Sequence, residues 1–346
     1  MELGKKIRQL RFRAGLTQEQ LADRLGVSPQ SVSKWENAVA MPDITALPLL
    51  AEIFGVTIDD LFDLTKEQRL NRIENRMDAE EELPADVFRE FESFLQAEMN
   101  GGEHRKRATE LAAYLYWHRM NAEARKAARY AKEAVAAAPG EKGCQWILNR
   151  AENHAVWDWN LANHSRAAAF YRDIVEENPL VPLPYMYLLD NLIADHRADE
   201  AEMWLDRYCA LEKAHPVMKR VYRAYIALAR FDEPAADRIM EELLAEQPED
   251  DAVLFETAQY YAAKADYEKA VACYERAFAA DTRRPRFQDA LMGIADIYEI
   301  MGDRASAAQT YDRIVSLLEN EWGLTEETDS SVAAAKREKA RVLAGK

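Results

Sequence analysis

Cysteine is nearly absent: Cys144, Cys209 and Cys273 are the only three in 346 residues, and they lie far apart. An odd number at such separations excludes a disulfide framework and offers no paired site for a metal or for redox chemistry. Each is expected to be a small buried hydrophobe. Glycine and proline are also scarce, 12 of each, too few for the many tight turns of a β-rich fold. No apolar run is long enough to cross a bilayer, and the basic start MELGKKIRQLRFRAG has no apolar signal core behind it. A cytoplasmic location with no membrane partner is the expectation.

Catalytic signatures are missing as well. The six histidines, His104, His118, His154, His164, His196 and His215, form no HExxH or comparable metal spacing. No GxxxxGK[ST] phosphate loop, GxGxxG turn or GxSxG elbow occurs. Acidic pairs such as Glu241-Glu242 and Asp250-Asp251 belong to generally charged helical surfaces. The chain is therefore expected to be no enzyme, with no cofactor, no metal and no catalytic residue.

What is present is helix. Stretches rich in Ala, Glu, Leu and Arg are broken by short Pro, Gly, Asn or Asp punctuation, with no sustained alternation of Val, Ile and Thr. The fold class is all-α. The formal net charge is -16, but residues 1–66 hold acidic and basic side chains in near balance, so the excess lies beyond them. An acidic remainder should avoid nucleic acid, whereas Lys5, Lys6, Arg8, Arg11 and Arg13 form a local positive cluster.

Residues 1–64 divide into five short helices, near 2–13, 17–24, 28–36, 44–53 and 58–62. The most informative stretch is 15–37, GLTQEQLADRLGVSPQSVSKWEN. Thr17 is placed to cap a helix with Gln20 completing a capping box. Leu21, Ala22 and Leu25 make its inner face, Gly26 permits a tight turn, and Val27 plugs it. Ser28 then caps a second helix with Pro29 at its first position. Val32 and Trp35 face inward there, leaving Gln30, Ser31, Ser33 and Lys34 outward. Two short helices about a glycine turn, the second with a polar outer edge, suit insertion into a major groove.

This stretch, with PDITALPLLAEIFGVTIDDLF after it, resembles the phage-repressor or XRE-type helix-turn-helix family over residues 4–62. The resemblance implies a five-helix DNA-binding domain at 1–65. It implies that Gln18 contacts phosphate and Asn37 the backbone, and that Gln30, Lys34 and Ser31 face the major groove. Arg11 and Glu36 match positions that form a buried salt bridge in this family. Thr17, Gln18, Ser28, Gln30, Ser31, Ser33, Lys34 and Asn37 are thus the candidate DNA-contacting residues. The loop Ala38 to Asp43 departs from the basic loop of several phage repressors, so fewer phosphate contacts are expected and affinity should depend on dimerisation. The partners expected are double-stranded DNA and a second copy of the chain.

Residues 66–85 are taken as a helical connector. Leu70, Ile73 and Met77 keep helical spacing within it, which suits either pairing between subunits or a solvated linker. The surface that dimerises is open between this connector, helix 58–62 and the C-terminal repeats.

From about 86 to 320 the sequence repeats itself at roughly 34 residues, the mark of a helix-pair solenoid. In 251–281 Leu254, Ala258 and Tyr261 share one face of a first helix, and Ala270, Tyr274 and Ala277 one face of a second. The second-helix pattern returns at Ala167, Tyr171 and Ile174, at Ala201, Leu205 and Tyr208, at Ala236, Met240 and Leu243, and at Ala307, Tyr311 and Ile314. Small residues let helices approach, and larger ones a turn later fill the gap. Pro139, Pro179 and Pro248 stand after several of these helices. The pattern resembles the tetratricopeptide repeat, in five to seven degenerate copies, and implies an α-solenoid over 86–346 with the tail 324–346 as a capping helix.

The first helix of each pair should line a concave face, where Asn149, Asn153, Val156, Tyr187, Asn191, Arg220, Tyr222, Tyr225 and Gln259 are the candidate ligand-binding residues. Trp146, Trp157 and Trp159 are expected to be core and repeat-joint packing. The domain order resembles the peptide-pheromone-responsive regulators of Gram-positive bacteria. On this reading the chain is a DNA-binding transcriptional regulator whose repeats hold a peptide or protein effector. The alternative is an interaction scaffold, its repeats docking a protein partner and its DNA contact serving localisation.

Overall fold

A computed structural model of the chain describes residues 2–56, 58–62, 65–101, 104–140, 142–154 and 163–345. Every regular element among them is helical, and none is long and apolar enough to cross a membrane. The chain divides into two compact units, Met1–Ala122 and Glu123–Lys346.

The first unit begins with α1 (Glu2–Arg13), α2 (Gln18–Leu25), α3 (Pro29–Glu36), a 3-10 turn at Ile44–Ala46, α4 (Leu47–Phe54) and α5 (Ile58–Phe62). These are the five expected helices, with the fourth starting as a 3-10 turn because Pro48 lacks the N–H that an earlier α-turn would use. Leu3, Ile7 and Leu10 of α1 close over Leu21, Ala22, Val32, Trp35 and Leu50 in one small core.

Gly4 lets α1 approach the end of α3 closely, since a Cβ there would stand 2.1 Å from the Trp35 carbonyl oxygen. Beside that contact the side chain of Arg11 reaches Glu36 in a two-pronged bond, Nε to Oε1 at 2.6 Å and Nη2 to Oε2 at 3.0 Å. Arg11 also donates to the Leu16 carbonyl at 2.7 Å. Both charged groups are buried. Burial alone would raise the Glu36 carboxyl, but the bonds from Arg11 and Gln18 outweigh it and hold the group below its usual range.

The expected connector is α6 (Lys66–Ala79), followed by α7 (Ala85–Met99) and α8 (Arg105–Ala137). Neither role foreseen for it holds. Leu70, Ile73 and Met77 are buried within the chain against Phe88, Phe91 and Leu95 of α7 and Leu111 and Leu115 of α8. The stripe is covered by the chain's own helices, leaving nothing of it for a solvated linker or for pairing with another subunit.

The second unit continues with α9 (Lys142–Ala151), α10 (Ser165–Glu177), α11 (Pro182–Ala194), α12 (Ala198–Cys209), α13 (Pro216–Ala229), α14 (Glu233–Glu246), α15 (Asp251–Ala263), α16 (Tyr267–Ala280), α17 (Asp289–Ile300), α18 (Arg304–Asn320) and α19 (Ser330–Ala344). From α10 onward each helix packs on the next, and α11, α13 and α15 also touch one another in succession, forming one layer of a repeat array. The small-then-large pattern is the joint: Ala201, Leu205 and Tyr208, then Ala236, Met240 and Leu243, then Ala270, Tyr274 and Ala277, then Ala307, Tyr311 and Ile314 are all buried. In α10 the expected register is off by one residue. Ala168 and Val175 are the buried pair there, while Tyr171 lies half exposed and stacks flat on Tyr187 of α11 at 5.3 Å. The tail forms α19, whose Val332, Ala335 and Val342 join the last core.

Two further expectations fail. Only Cys273 is buried; Cys144 and Cys209 are half-buried, and all three are free. Trp146 is 59% exposed beneath Arg150 rather than packed in a core, and Trp157 and Trp159 lie outside the described residues.

Gly4→Ala is expected to destabilise the α1–α3 contact by about 1–3 kcal/mol, because a backbone carbonyl cannot move aside. Gly143→Ala in α9, where the space is open, should instead gain up to about 1 kcal/mol from helix propensity. Amide hydrogen exchange over α1 to α3 and over α9 measures both. Glu36→Ala strands the Arg11 charge and should cost about 3–5 kcal/mol in the same assay. The Glu36 carboxyl titrates lower in the folded than in the unfolded chain. Its stabilisation is therefore complete above the ordinary glutamate range and is lost as pH falls through the lowered folded value. Exchange protection of α1 and α3 should decline on that acid side, and Glu36→Gln should show a smaller decline.

Candidate nucleic-acid interface and repeat face

Thr17 accepts from the Gln20 N–H at 3.1 Å and its own N–H donates to Gln20 Oε1 at 2.9 Å, closing the capping box at the start of α2. Gly26 ends the helix in the left-handed region, φ 66°. Ser28 caps α3 by accepting from the Ser31 N–H at 3.2 Å, and the two hydroxyls lie 2.9 Å apart. Val32 and Trp35 point into the core. α3 is thus held at its start by a hydroxyl cap, beneath by two apolar side chains, and at its end by the Arg11–Glu36 pair.

The eight candidate residues are brought to this one region, but they are not equally free. Thr17 and Ser28 have their hydroxyls in caps, and Ser31 pairs with Ser28. Gln18 donates from Nε2 to Glu36 Oε2 at 2.8 Å, so one of its two amide protons is engaged. Asn37 turns its amide back to the Ser33 carbonyl at 2.9 Å, finishing the last turn of α3. Gln30 and Lys34 differ. Both are exposed, one helical turn apart on a single edge, and neither makes a side-chain bond within the described residues. The loop that follows exposes apolar groups, Val39 at 73% and Ile44 at 78%, where a basic loop would offer phosphate contacts.

The candidate ligand-binding residues scatter. Asn149 is half-buried in α9, and Asn153 is an exposed turn residue just beyond it, φ 54°; Val156 lies outside the described residues. Asn191 donates to the Tyr187 carbonyl at 2.7 Å within its own helix. Arg220 is taken up by Glu246 of α14 at 2.5 Å, which turns it toward its partner helix rather than along the layer. Tyr222 is buried and gives its hydroxyl to Asp190 at 2.9 Å. Tyr225 and Gln259 remain accessible, Tyr225 set edge-on to Tyr260 at 6.2 Å.

The sequence reading passed over the acidic groups of this layer. Asp190 of α11 accepts from the Tyr222 hydroxyl, and desolvation outweighs that bond and pushes its carboxyl up. Burial likewise pushes the Glu256 carboxyl of α15 up to about 7, with Asp190 adding repulsion, and burial also raises Asp296 of α17. The available signal was the repeat spacing itself, since Asp190 and Glu256 recur at about two repeat lengths on first helices.

Residues 6–61 match the helix-turn-helix family. Over 76 residues the chain is 42% identical to the HTH-type transcriptional activator BcrR of Enterococcus faecalis, covering 22% of this chain and 37% of that protein. It is 35% identical over 65 residues to the SPbeta prophage-derived HTH-type regulator YonR of Bacillus subtilis, covering 19% and 60%. The chain therefore spans less than two thirds of either relative. Among solved structures, Bacillus thuringiensis PlcR in complex with the peptide PapR7 and DNA aligns over 98% of each chain at 12% identity, with a TM-score of 0.26. A likeness at that level carries no argument about ligands. The chain carries, over residues 6–61, a helix-turn-helix domain of the kind these curated relatives share, ahead of a helical repeat array.

Proposed function

We propose that the chain is a sequence-specific DNA-binding transcriptional regulator whose repeat array binds a peptide or protein effector. The observation that carries this is the free edge of α3. Gln30 and Lys34 stand on it unpaired while Val32, Trp35 and the Arg11–Glu36 pair fix the helix below. A glutamine amide can bond the N6 and N7 edge of adenine, and a lysine the O6 and N7 edge of guanine. Thr17, Gln18, Ser28, Ser31, Ser33 and Asn37 ring the same helix and suit backbone contacts that set its register. With an apolar loop after α3, a single copy reaches few phosphates. A homodimer reading two half-sites about one helical turn apart supplies the missing affinity.

The effector reading rests on the α11, α13 and α15 layer. Its accessible Tyr225 and Gln259, together with carboxylates that lack a cationic partner, form a surface suited to an extended chain.

Genomic occupancy mapping of the intact protein against Gln30→Ala and Lys34→Ala tests the DNA assignment. Both side chains face solvent, so folding should be intact while site preference flattens, each lost base contact weakening the preferred site by about 1–3 kcal/mol. Identical maps for all three proteins would refute it.

A further inference from the structure

α15, the end of α16 and the start of α17 line a half-open cavity of about 280 Å³. Its wall combines the rings of Phe255, Phe278 and Phe287 with the carboxylates of Asp251, Glu256 and Asp289. Asp281 and Arg283 also line it, but they are bound to each other at 2.8 Å, and Arg283 reaches on to Asp251 at 3.0 Å. That one guanidinium is already occupied.

Glu256 has no such partner. Among the described residues no donor bonds it and no cation pairs with it, and the exposed Arg223 on α13 pairs with neither Glu256 nor Asp190. A half-buried carboxyl with nothing to balance its charge is unfavourable until a cation arrives. With Arg283 already shared between Asp281 and Asp251, Glu256 and Asp289 leave the wall with an excess of negative charge, and Asp190 nearby adds to it. Anionic and neutral polar groups are correspondingly disfavoured.

Size narrows the occupant. Drug-sized ligands and cofactors usually occupy pockets of roughly 300–1,000 Å³, so this cavity suits a single side chain or a group of that size. Arg286 already lies over the Phe278 ring at 4.1 Å and Arg283 over the Phe287 ring at 5.0 Å, so among the described residues Phe255 is the ring left to receive a cation, while all three supply apolar area for the alkyl stem that carries it.

The geometry points to this cavity as the pocket for a basic side chain, arginine or lysine, of the peptide that the repeat array binds. The stem lies against Phe255, Phe278 and Phe287, and the charged head meets Glu256. Asp190, with Tyr222 and Tyr225 on the neighbouring helices, extends the same preference along the layer. This rests on the reading of the effector as a peptide.

The full chain is titrated by fluorescence anisotropy against four fluorescein-labelled heptapeptide pools, each with one position fixed as Arg, Lys, Leu or Glu and the rest randomised. The Arg and Lys pools should bind at least tenfold more tightly than the Leu pool, and the Glu pool least of all. Glu256→Gln should remove at least tenfold from the Arg pool and narrow its advantage over the Leu pool, with far-UV circular dichroism showing that the variant is folded. Phe287→Ala, on a half-exposed ring, should weaken the Arg pool as well. Equal binding of all four pools overturns the basic pocket and leaves the peptide reading standing. A preference for Arg that survives both substitutions overturns the assignment to this cavity. Absence of binding by every pool removes the peptide reading and the pocket with it.

Discussion

The forked bond between Arg11 and Glu36 is the constraint on which the DNA-facing edge depends. α3 is only Pro29–Glu36 long, too short to hold its shape alone in water. Its position comes from two apolar side chains beneath it and from a charged pair at its end that cannot be broken without leaving a charge buried. The pair also recruits Gln18, so the start of α2, the end of α1 and the end of α3 meet at one carboxylate. Orientation is what this arrangement contributes. A recognition edge must keep its side chains aligned with base edges, and a bidentate guanidinium–carboxylate contact fixes direction where apolar packing alone tolerates slippage.

Much of this was legible because local signals agreed. Thr17 with Gln20, Gly26, and Ser28 with Pro29 each mark a helix boundary by a different mechanism, and all point to the same two helices. The repeats were legible for a related reason: an alanine that admits a neighbouring helix and a large residue one turn on leave a mark that survives degeneracy. Where the mark is ambiguous the reading slips, as in α10, whose run Ala167-Ala168-Ala169 offers three equivalent registers. Packing against α11 selects among them, burying Ala168 and Val175 and stacking Tyr171 on Tyr187. The connector failed differently. Its stripe was read correctly, but a stripe names no partner, and α7 and α8 lie outside any local window.

The turns between paired helices were hidden for a physical reason. After α11, α13 and α15 the left-handed position is held by His196, Phe231 and Ala265, whereas only Gly302 after α17 announces it. A non-glycine residue there carries about 1–2 kcal/mol of steric cost, so packing of the helix pair overrides local preference at three of these turns. The layer's carboxylates were hidden because a charged residue on a helix reads as solvated by default. Asp190 and Glu256 depart from that default only once folding brings other elements around them and desolvates their carboxyls.

The charge distribution bears on how the two ends of the chain can influence each other. The DNA-facing segment is nearly neutral, and the rest of the chain, mostly the array, carries almost all of the -16. A cation bound in the array lowers the negative charge there, and that field change favours association with phosphate. At physiological salt, however, exposed charges are screened over about 8 Å, so such a field acts only at close range. An effector alters DNA occupancy by more than that only if it binds one conformation or one association state of the chain better than another, by a differential free energy equal to the coupling. The unpaired Glu256 offers such a differential. A cation held there is worth most in the state that keeps the carboxyl half-buried, and less in any state that exposes it further to water.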